Sequence, residues 1–238
     1  MTKPSNQHQI RLPVVIPAAG IGSRMQAPKA KQYLDINGKT IIEHTISLML
    51  SHPNISNVLV VLHPDDTIFK NLAIANNERV KTVIGGAERV DSVLSGLKYL
   101  ASTTNDSQVL VHDAARPCLS HQDISKLIHA CGKQNSGILA IPVADTIKQS
   151  EPSKSLIKQT IDRATLWQAQ TPQLSNLALL ISAIENALRD GATITDEASA
   201  LEYAGTKVML VEGQASNLKI TRPADLELAE YYLSKSKQ

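Results

Sequence analysis

Residues 12–34 read LPVVIPAAGIGSRMQAPKAKQYL. The first five form an unbroken apolar run, the pattern required of a parallel strand covered on both faces. At Pro17 the character changes at once. Ala18, Ala19, Gly20 and Gly22 remove bulk, and Arg24, Lys29 and Lys31 then add positive charge. Small residues let a backbone approach a ligand closely and aim its amide N–H groups at it. The stretch predicts a buried strand that ends on a cradle for an anion.

The same grammar recurs further along the chain. VLVVL (58–62), KTVI (81–84) and QVLVH (108–112) read as buried strands, and helical periodicity fills 40–52, 89–101 and 121–133. Strand–helix alternation of this kind implies right-handed βαβ units and a Rossmann-like, doubly wound, mostly parallel α/β sheet. In such sheets ligands bind beyond the carboxyl ends of the strands. The loops leaving those ends are PAAGIGSR, HPDD, GGAERVDS and DAARP. From 143 to 163 the pattern becomes two polar strands joined at SEPSKS, a protruding β-arm. An isolated two-stranded ribbon is marginal in water, so a second copy of the chain is its expected support. Helices follow at 175–190 and 196–204, then a strand at 207–211, NLKIT, and a last helix opening at RPADL. One domain over 11–238 with a loose tail at 1–10 is the expected organisation.

Composition removes several classes of function. The net charge is only +2, so any cationic site must be local. Aromatic residues make up 3%, too few for a platform that stacks single-stranded bases, and nucleic acid is not an expected partner. No apolar run approaches a membrane span, and the N-terminus lacks a signal-like apolar segment, which points to the cytoplasm. Cys118 and Cys131 have no metal-ligand or redox spacing, and the seven histidines fall in no ligand motif. A dinucleotide fingerprint lacks its third glycine, with the cationic Arg24 close by instead. GKT at 38–40 lacks the upstream glycine of a phosphate-binding P-loop, because Tyr33 stands there. INGKT reads instead as a tight turn after a short strand.

AAGIGSRM with KQYL resembles the nucleotidyltransferases that make activated sugars and alcohols. GGAERVDSVLSGL, VHDAARP, GATITDEASALEY and NLKITRPADL, in that order, resemble the 2-C-methyl-D-erythritol 4-phosphate cytidylyltransferase family of the non-mevalonate isoprenoid pathway, over about residues 13–233. The resemblance implies a sheet of the nucleotidyltransferase type, a dimerising arm, and transfer of a cytidylyl group from CTP to methylerythritol phosphate with release of pyrophosphate. Mg2+ is the implied companion of CTP. Related cytidylyltransferases acting on ribitol 5-phosphate share the loop set and are the alternative.

By the same resemblance, Arg24 and Lys31 stabilise the triphosphate and the transition state. Lys31 takes this role rather than Lys29, because an ungapped count from Met25 puts it in the family position. The main chain of Ala18, Ala19 and Gly20, with Gly22, Gly86 and Ser92, cradles the nucleotide, although Ala87 stands where the family commonly has Asp. Asp113 either ligates the metal or accepts from sugar or polyol hydroxyls. Ala114 passes the ribose, and Arg116 serves the acceptor side. Lys219 and Arg163 position the acceptor phosphate, with hydroxyl contacts from Thr146, Thr171 and Thr195. Arg163 and Thr146 flank the arm, which would let them complete the site of the neighbouring subunit in a homodimer. Arg89 and Asp91 read equally well as a solvated helix start.

Overall fold

In the computed structural model, which describes residues 11–20, 29–153 and 155–235, the opening run forms β1 (Leu12–Pro17), its first five residues buried. The INGKT turn is a two-residue hairpin between β2 (Asp35–Ile36) and β3 (Lys39–Thr40), with Asn37 and Gly38 at φ 54° and 80°. That is the backbone a tight antiparallel turn demands. Thr40 then caps α1 (Ile41–Ser51) in a reciprocal pair with Glu43. The chain continues through β4 (Ile55–Leu62), β5 (Val80–Ile84), α2 (Arg89–Thr103), β6 (Gln108–Val111) and α3 (His121–Cys131). Every strand and helix expected before residue 134 is present.

Beyond α3 the structure adds what the sequence pattern did not. β7 (Ser136–Pro142) precedes the ribbon of β8 (Ile147–Ser150) and β9 (Ile157–Ile161), which pair antiparallel as expected. The ribbon carries Leu156 and Ile157 on its surface, 68% and 64% exposed. β10 (Trp167–Asn176) follows, a ten-residue strand that the sequence pattern did not reveal; the helix expected from 175 begins two residues later. Then come α4 (Leu177–Arg189), α5 (Glu197–Tyr203), β11 (Val208–Glu212) and α6 (Pro223–Lys235).

The seven-stranded sheet runs β11-β7-β10-β6-β1-β4-β5. β1 pairs parallel with both β4 and β6, whereas β10 runs antiparallel between β6 and β7. The sheet is thus mostly parallel with one reversed strand near its middle. Ile42, Ile46 and Met49 of α1 join Ile124, Leu127 and Ile128 of α3 in one hydrophobic layer. Leu97 of α2, Leu180 and Ile184 of α4 and Leu201 of α5 cover the other face. From β1 the chain builds outward through β4 and β5, then crosses back to β6 on the opposite side. β1 and β6 therefore flank the switch point where open α/β sheets bind ligands.

α2 reaches the sheet closely because Gly96 faces it. A Cβ there would stand 2.8 Å from Val15 Cγ1 and 2.9 Å from Val61 Cγ2. Gly96→Leu should lower stability by about 1–3 kcal/mol through overpacking, even against a helix-propensity gain of about 1 kcal/mol. A thermal melt checks this, with a fall of roughly 2–4 °C per kcal/mol expected for a chain of this size.

Candidate active site

At the switch point, the loop after β1, the α2 entry and the loop after β6 enclose a cleft of about 470 Å³. Ala18, Ala19 and Gly20 form one wall, held by an Ala18 N–H that donates to Val61 O at 2.8 Å. The KQY turn at Lys31–Tyr33 fixes that wall to two others. Gln32, 4% exposed, donates its amide to the carbonyls of Ala18 (2.8 Å) and Gly20 (3.2 Å). Lys31 Nζ donates to Ile220 O at 3.0 Å, and Tyr33 donates its hydroxyl to Asp66 of the HPDD loop. Three consecutive side chains thus tie together three distant loops. Opposite them, Ser92 takes the Gly86 N–H at 3.2 Å and donates to Glu88 O. Its hydroxyl shapes the turn that lines the cleft.

Asp113 sits at the base, buried at 7% exposure. Its Oδ1 faces Arg89 Nη2 at 3.2 Å, and its Oδ2 accepts from Lys219 Nζ at 3.0 Å and Arg116 Nε at 3.3 Å. Arg89 also pairs with Glu197, Nη1 to Oε1 at 2.7 Å. Burial by itself disfavours the Asp113 anion. Arg89, Lys219 and Arg116 outweigh it and hold the carboxyl well below the usual carboxylate range. Burial likewise pushes the Glu197 carboxyl up, and Arg89 works against it. Three cations around two carboxylates leave one positive charge in surplus.

Behind Asp113 lies a line of hydrogen bonds. The Asp113 N–H donates to Thr171 Oγ1 at 3.0 Å, and the Thr171 hydroxyl lies 3.0 Å from His112 Nδ1. His112 Nε2 stands 3.1 Å from Arg116 O. The Arg116 carbonyl can only accept, so the imidazole donates from Nε2, and in a neutral ring Nδ1 accepts the Thr171 hydroxyl proton. Burial lowers the His112 pKa to about 4, in keeping with that assignment. Arg116 completes the layer by donating to Asn217 O at 2.6 Å.

The sequence-derived candidates separate into groups. Ala18, Ala19, Gly20, Lys31, Gly86, Ser92, Asp113, Ala114 and Lys219 line one cleft. Thr171 and Arg116 stand one layer behind it, engaged with Asp113 rather than lining the cleft as expected contacts. Thr195 is exposed just before the α5 cap. Thr146 and Arg163 are exposed at the base of the ribbon and line no part of the cleft, with Arg163 Nη1 donating to Ala144 O. Gly22 and Arg24 lie outside the described residues. Arg89 corrects the reading of a solvated helix start: it is the junction between Asp113 and Glu197. Asp91 does behave as a helix cap, accepting from the Glu88 N–H at 3.0 Å. Glu197 and Gln32 were not singled out in the sequence. The signal for Glu197 was the Asp196–Ser199 capping box, which marks a helix entry directly beneath GATIT.

A mostly parallel α/β sheet with a cation-lined cleft at its switch point defines a nucleotide-handling enzyme of the nucleotidyltransferase type. Residues 12–235 match the family model described as IspD: 2-C-methyl-D-erythritol 4-phosphate cytidylyltransferase. A protein of that name from Vibrio vulnificus (strain CMCP6) is 51% identical over 228 residues, 95% of this chain and 96% of the relative. One from Yersinia pseudotuberculosis serotype I (strain IP32953) is 53% identical over 222 residues, 92% of this chain and 90% of the relative. The crystal structure of the Francisella tularensis protein superposes with a TM-score of 0.81 at 36% identity, covering 93% of this chain and 99% of that one. The chain belongs to the 2-C-methyl-D-erythritol 4-phosphate cytidylyltransferase family.

The buried imidazole has a consequence for acid stability. His112 is neutral in the folded chain down to about pH 4, whereas an unfolded histidine takes a proton below about 6.5. Its contribution is complete above pH 6.5 and is lost as pH falls toward 4, up to about 3 kcal/mol in all. Urea unfolding between pH 7 and 4 should show that decline, and His112→Gln should flatten it.

Proposed function

We propose that this cleft joins CTP to 2-C-methyl-D-erythritol 4-phosphate, giving 4-diphosphocytidyl-2-C-methyl-D-erythritol and pyrophosphate. The observation that carries this reading is the pairing of Arg89 and Lys219 with Asp113 in a switch-point cleft that Lys31 also lines, in a chain of this family. An oxygen of the acceptor phosphate attacks the α-phosphorus of CTP. The bond from that phosphorus to the α,β-bridging oxygen breaks, and pyrophosphate leaves with the electron pair. The nucleophile is already ionised, so no general base is needed. What the protein supplies is alignment of two anions that repel each other and charge to match the phosphate oxygens in the transition state.

Cleft position and, for Arg24, the family motif alone support the following roles. The backbone of Ala18–Gly20, with Gly86 and the turn held by Ser92, accepts the nucleotide, with Ala114 beside the ribose. Lys31 and Arg24 take the triphosphate. Lys219 takes the acceptor phosphate. Asp113 keeps the cations in place, with Arg116 and Thr171 bracing it. Mg2+ belongs to the triphosphate in this reading. Asp113 already accepts from three cations, and among the described residues no three His, Cys, Asp or Glu side chains gather into a metal site. Such a carboxylate does not fit a metal ligand, and the steps assigned to the protein run through its own cations.

The ribbon bears on assembly. Its exposed Leu156 and Ile157 favour a partner surface, and Thr146 and Arg163 at its base would reach the neighbour's cleft in a homodimer. Thr195, exposed just before α5, is assigned a hydroxyl contact to the acceptor from the family motif. The cytoplasm is the assigned location. Among the described residues no helix is long and apolar enough to cross a membrane, and Cys118 and Cys131 form no disulfide.

Pyrophosphate release from CTP with methylerythritol phosphate tests the reaction, and turnover with ribitol 5-phosphate alone would reject this acceptor. Lys31→Ala and Lys219→Ala should each lower kcat by about 10²–10³. Mixing Lys219→Ala with Arg163→Ala protomers should restore about one quarter of wild-type activity, because each mixed dimer regains one intact site. No recovery on mixing would place Arg163 in its own subunit's site.

A further inference from the structure

We propose that Glu197 is a positioning residue for the acceptor half of the reaction, setting through Arg89 and Asp113 where the Lys219 ammonium stands. This rests on the reading that Lys219 receives the acceptor phosphate. Glu197 is 3% exposed, and its two oxygens meet the two terminal nitrogens of Arg89 at 2.7 and 3.4 Å. A buried ion pair is a poor source of stability compared with apolar residues of similar volume. Its retention therefore calls for another reason, and the geometry supplies one.

Arg89 Nη2 is shared. It lies 3.4 Å from Glu197 Oε2 and 3.2 Å from Asp113 Oδ1. Because Glu197 occupies the guanidinium fork, Arg89 gives Asp113 one nitrogen only, and Oδ2 is left for Lys219 at 3.0 Å and Arg116 at 3.3 Å. A guanidinium relieved of Glu197 would be drawn to close on the Asp113 carboxylate with both nitrogens, the geometry such pairs favour. That closure would displace Lys219. Removing the Glu197 charge would also raise the surplus on the cluster from one positive charge to two, repelling the ammonium further.

Glu197 itself is held firmly. Gln173 of β10 donates to Asp196 Oδ2 at 2.9 Å and accepts from the Ala198 N–H at 2.8 Å, clamping the first turn of α5 on either side of Glu197. Lys219, by contrast, sits on an irregular segment, with its side chain 37% exposed. No strand or helix fixes its position. The fixed end of the chain of charges is Glu197, and the adjustable end is Lys219.

The test is a four-corner cycle of wild type, Glu197→Gln, Arg89→Met and the double variant. kcat and both KM values are measured by pyrophosphate release, beside thermal midpoints. Glu197→Gln should raise the acceptor KM about tenfold or more while the CTP KM stays within about twofold. On top of Arg89→Met it should add less than about twofold, because both act through one path. A lowered midpoint with both KM values unchanged, or effects that multiply, would overturn the proposal. Should Glu197→Gln not fold, Glu197→Asp keeps the buried charge paired but withdraws it by one methylene from the Arg89 fork, turning the guanidinium toward Asp113. It must show the same KM split, and an unchanged acceptor KM overturns the inference. If wild type releases no pyrophosphate with methylerythritol phosphate, the functional reading fails. A crystal structure of Glu197→Gln, or of Glu197→Asp, then decides positioning: the 3.0 Å Lys219–Asp113 contact must open, and its persistence overturns the proposal.

Discussion

Three cations drawn from separate parts of the chain converge on the buried carboxylate of Asp113: Arg89 from α2, Arg116 from the loop after β6, and Lys219 from the segment before α6. Left to themselves they would repel one another in a partly buried space, where charge interactions are stronger than in water. Asp113 reverses that balance. Its cost of burial is met by three partners, of which Arg89 and Lys219 line the cleft and Arg116 braces the carboxylate from behind. The cations of the site proposed to receive phosphates are thereby held together. The depth of the network matters as much as its front. The neutral His112 and the Thr171 hydroxyl orient the Asp113 backbone without adding a charge to an already crowded place.

The rest of the architecture serves to bring those residues together. β10 is the example. Its interior side chains include Gln170, Thr171, Gln173 and Ser175, all buried. Gln170 donates to Gln214 O, Thr171 accepts from Asp113, and Gln173 grips the start of α5. A strand in the middle of a sheet has become an anchoring post for the loops on its edge. The KQY turn does the same from the other side of the cleft, through Gln32 to the β1 loop and Lys31 to the segment that carries Lys219.

This dual use explains which features were legible in the sequence. β1, β4 and β6 are apolar because nothing is asked of them except burial, and their runs announce them. α1, α2 and α3 show clear periodicity for the same reason. β5, expected to be buried, is an edge strand with Lys81, Thr82 and Ile84 exposed. WQAQTPQLSN hides β10, since polar residues and a proline argue against a central strand, and only the tertiary hydrogen bonds reveal why they are there. In the site, Ala18–Gly20 and Asp113 could be placed because motif and strand end coincide, whereas Lys31 and Lys219 came from the family resemblance. Arg89 could be placed by neither. A cation at a helix start ordinarily faces water, and its partner Glu197 lies more than a hundred residues away. Thr171 and Arg116 were visible as polar residues in the right motifs. Whether they face a cleft or brace it depends on packing that spacing does not encode.

The reversed strand also imposes an order on how the molecule can be completed. β6 and β7 are separated in the sheet by β10, which is made after both and whose last residue is Asn176. A nascent chain that has emerged only through β9 holds one sheet fragment edged by β6, and β7 as a lone strand, because both neighbours of β7, β10 and β11, are made later. Neither can close on its neighbour until the ribosome has delivered the insert. Translation would therefore pass through a window in which both strands are open to mispairing, which makes that stretch of synthesis the natural place for a chaperone to act.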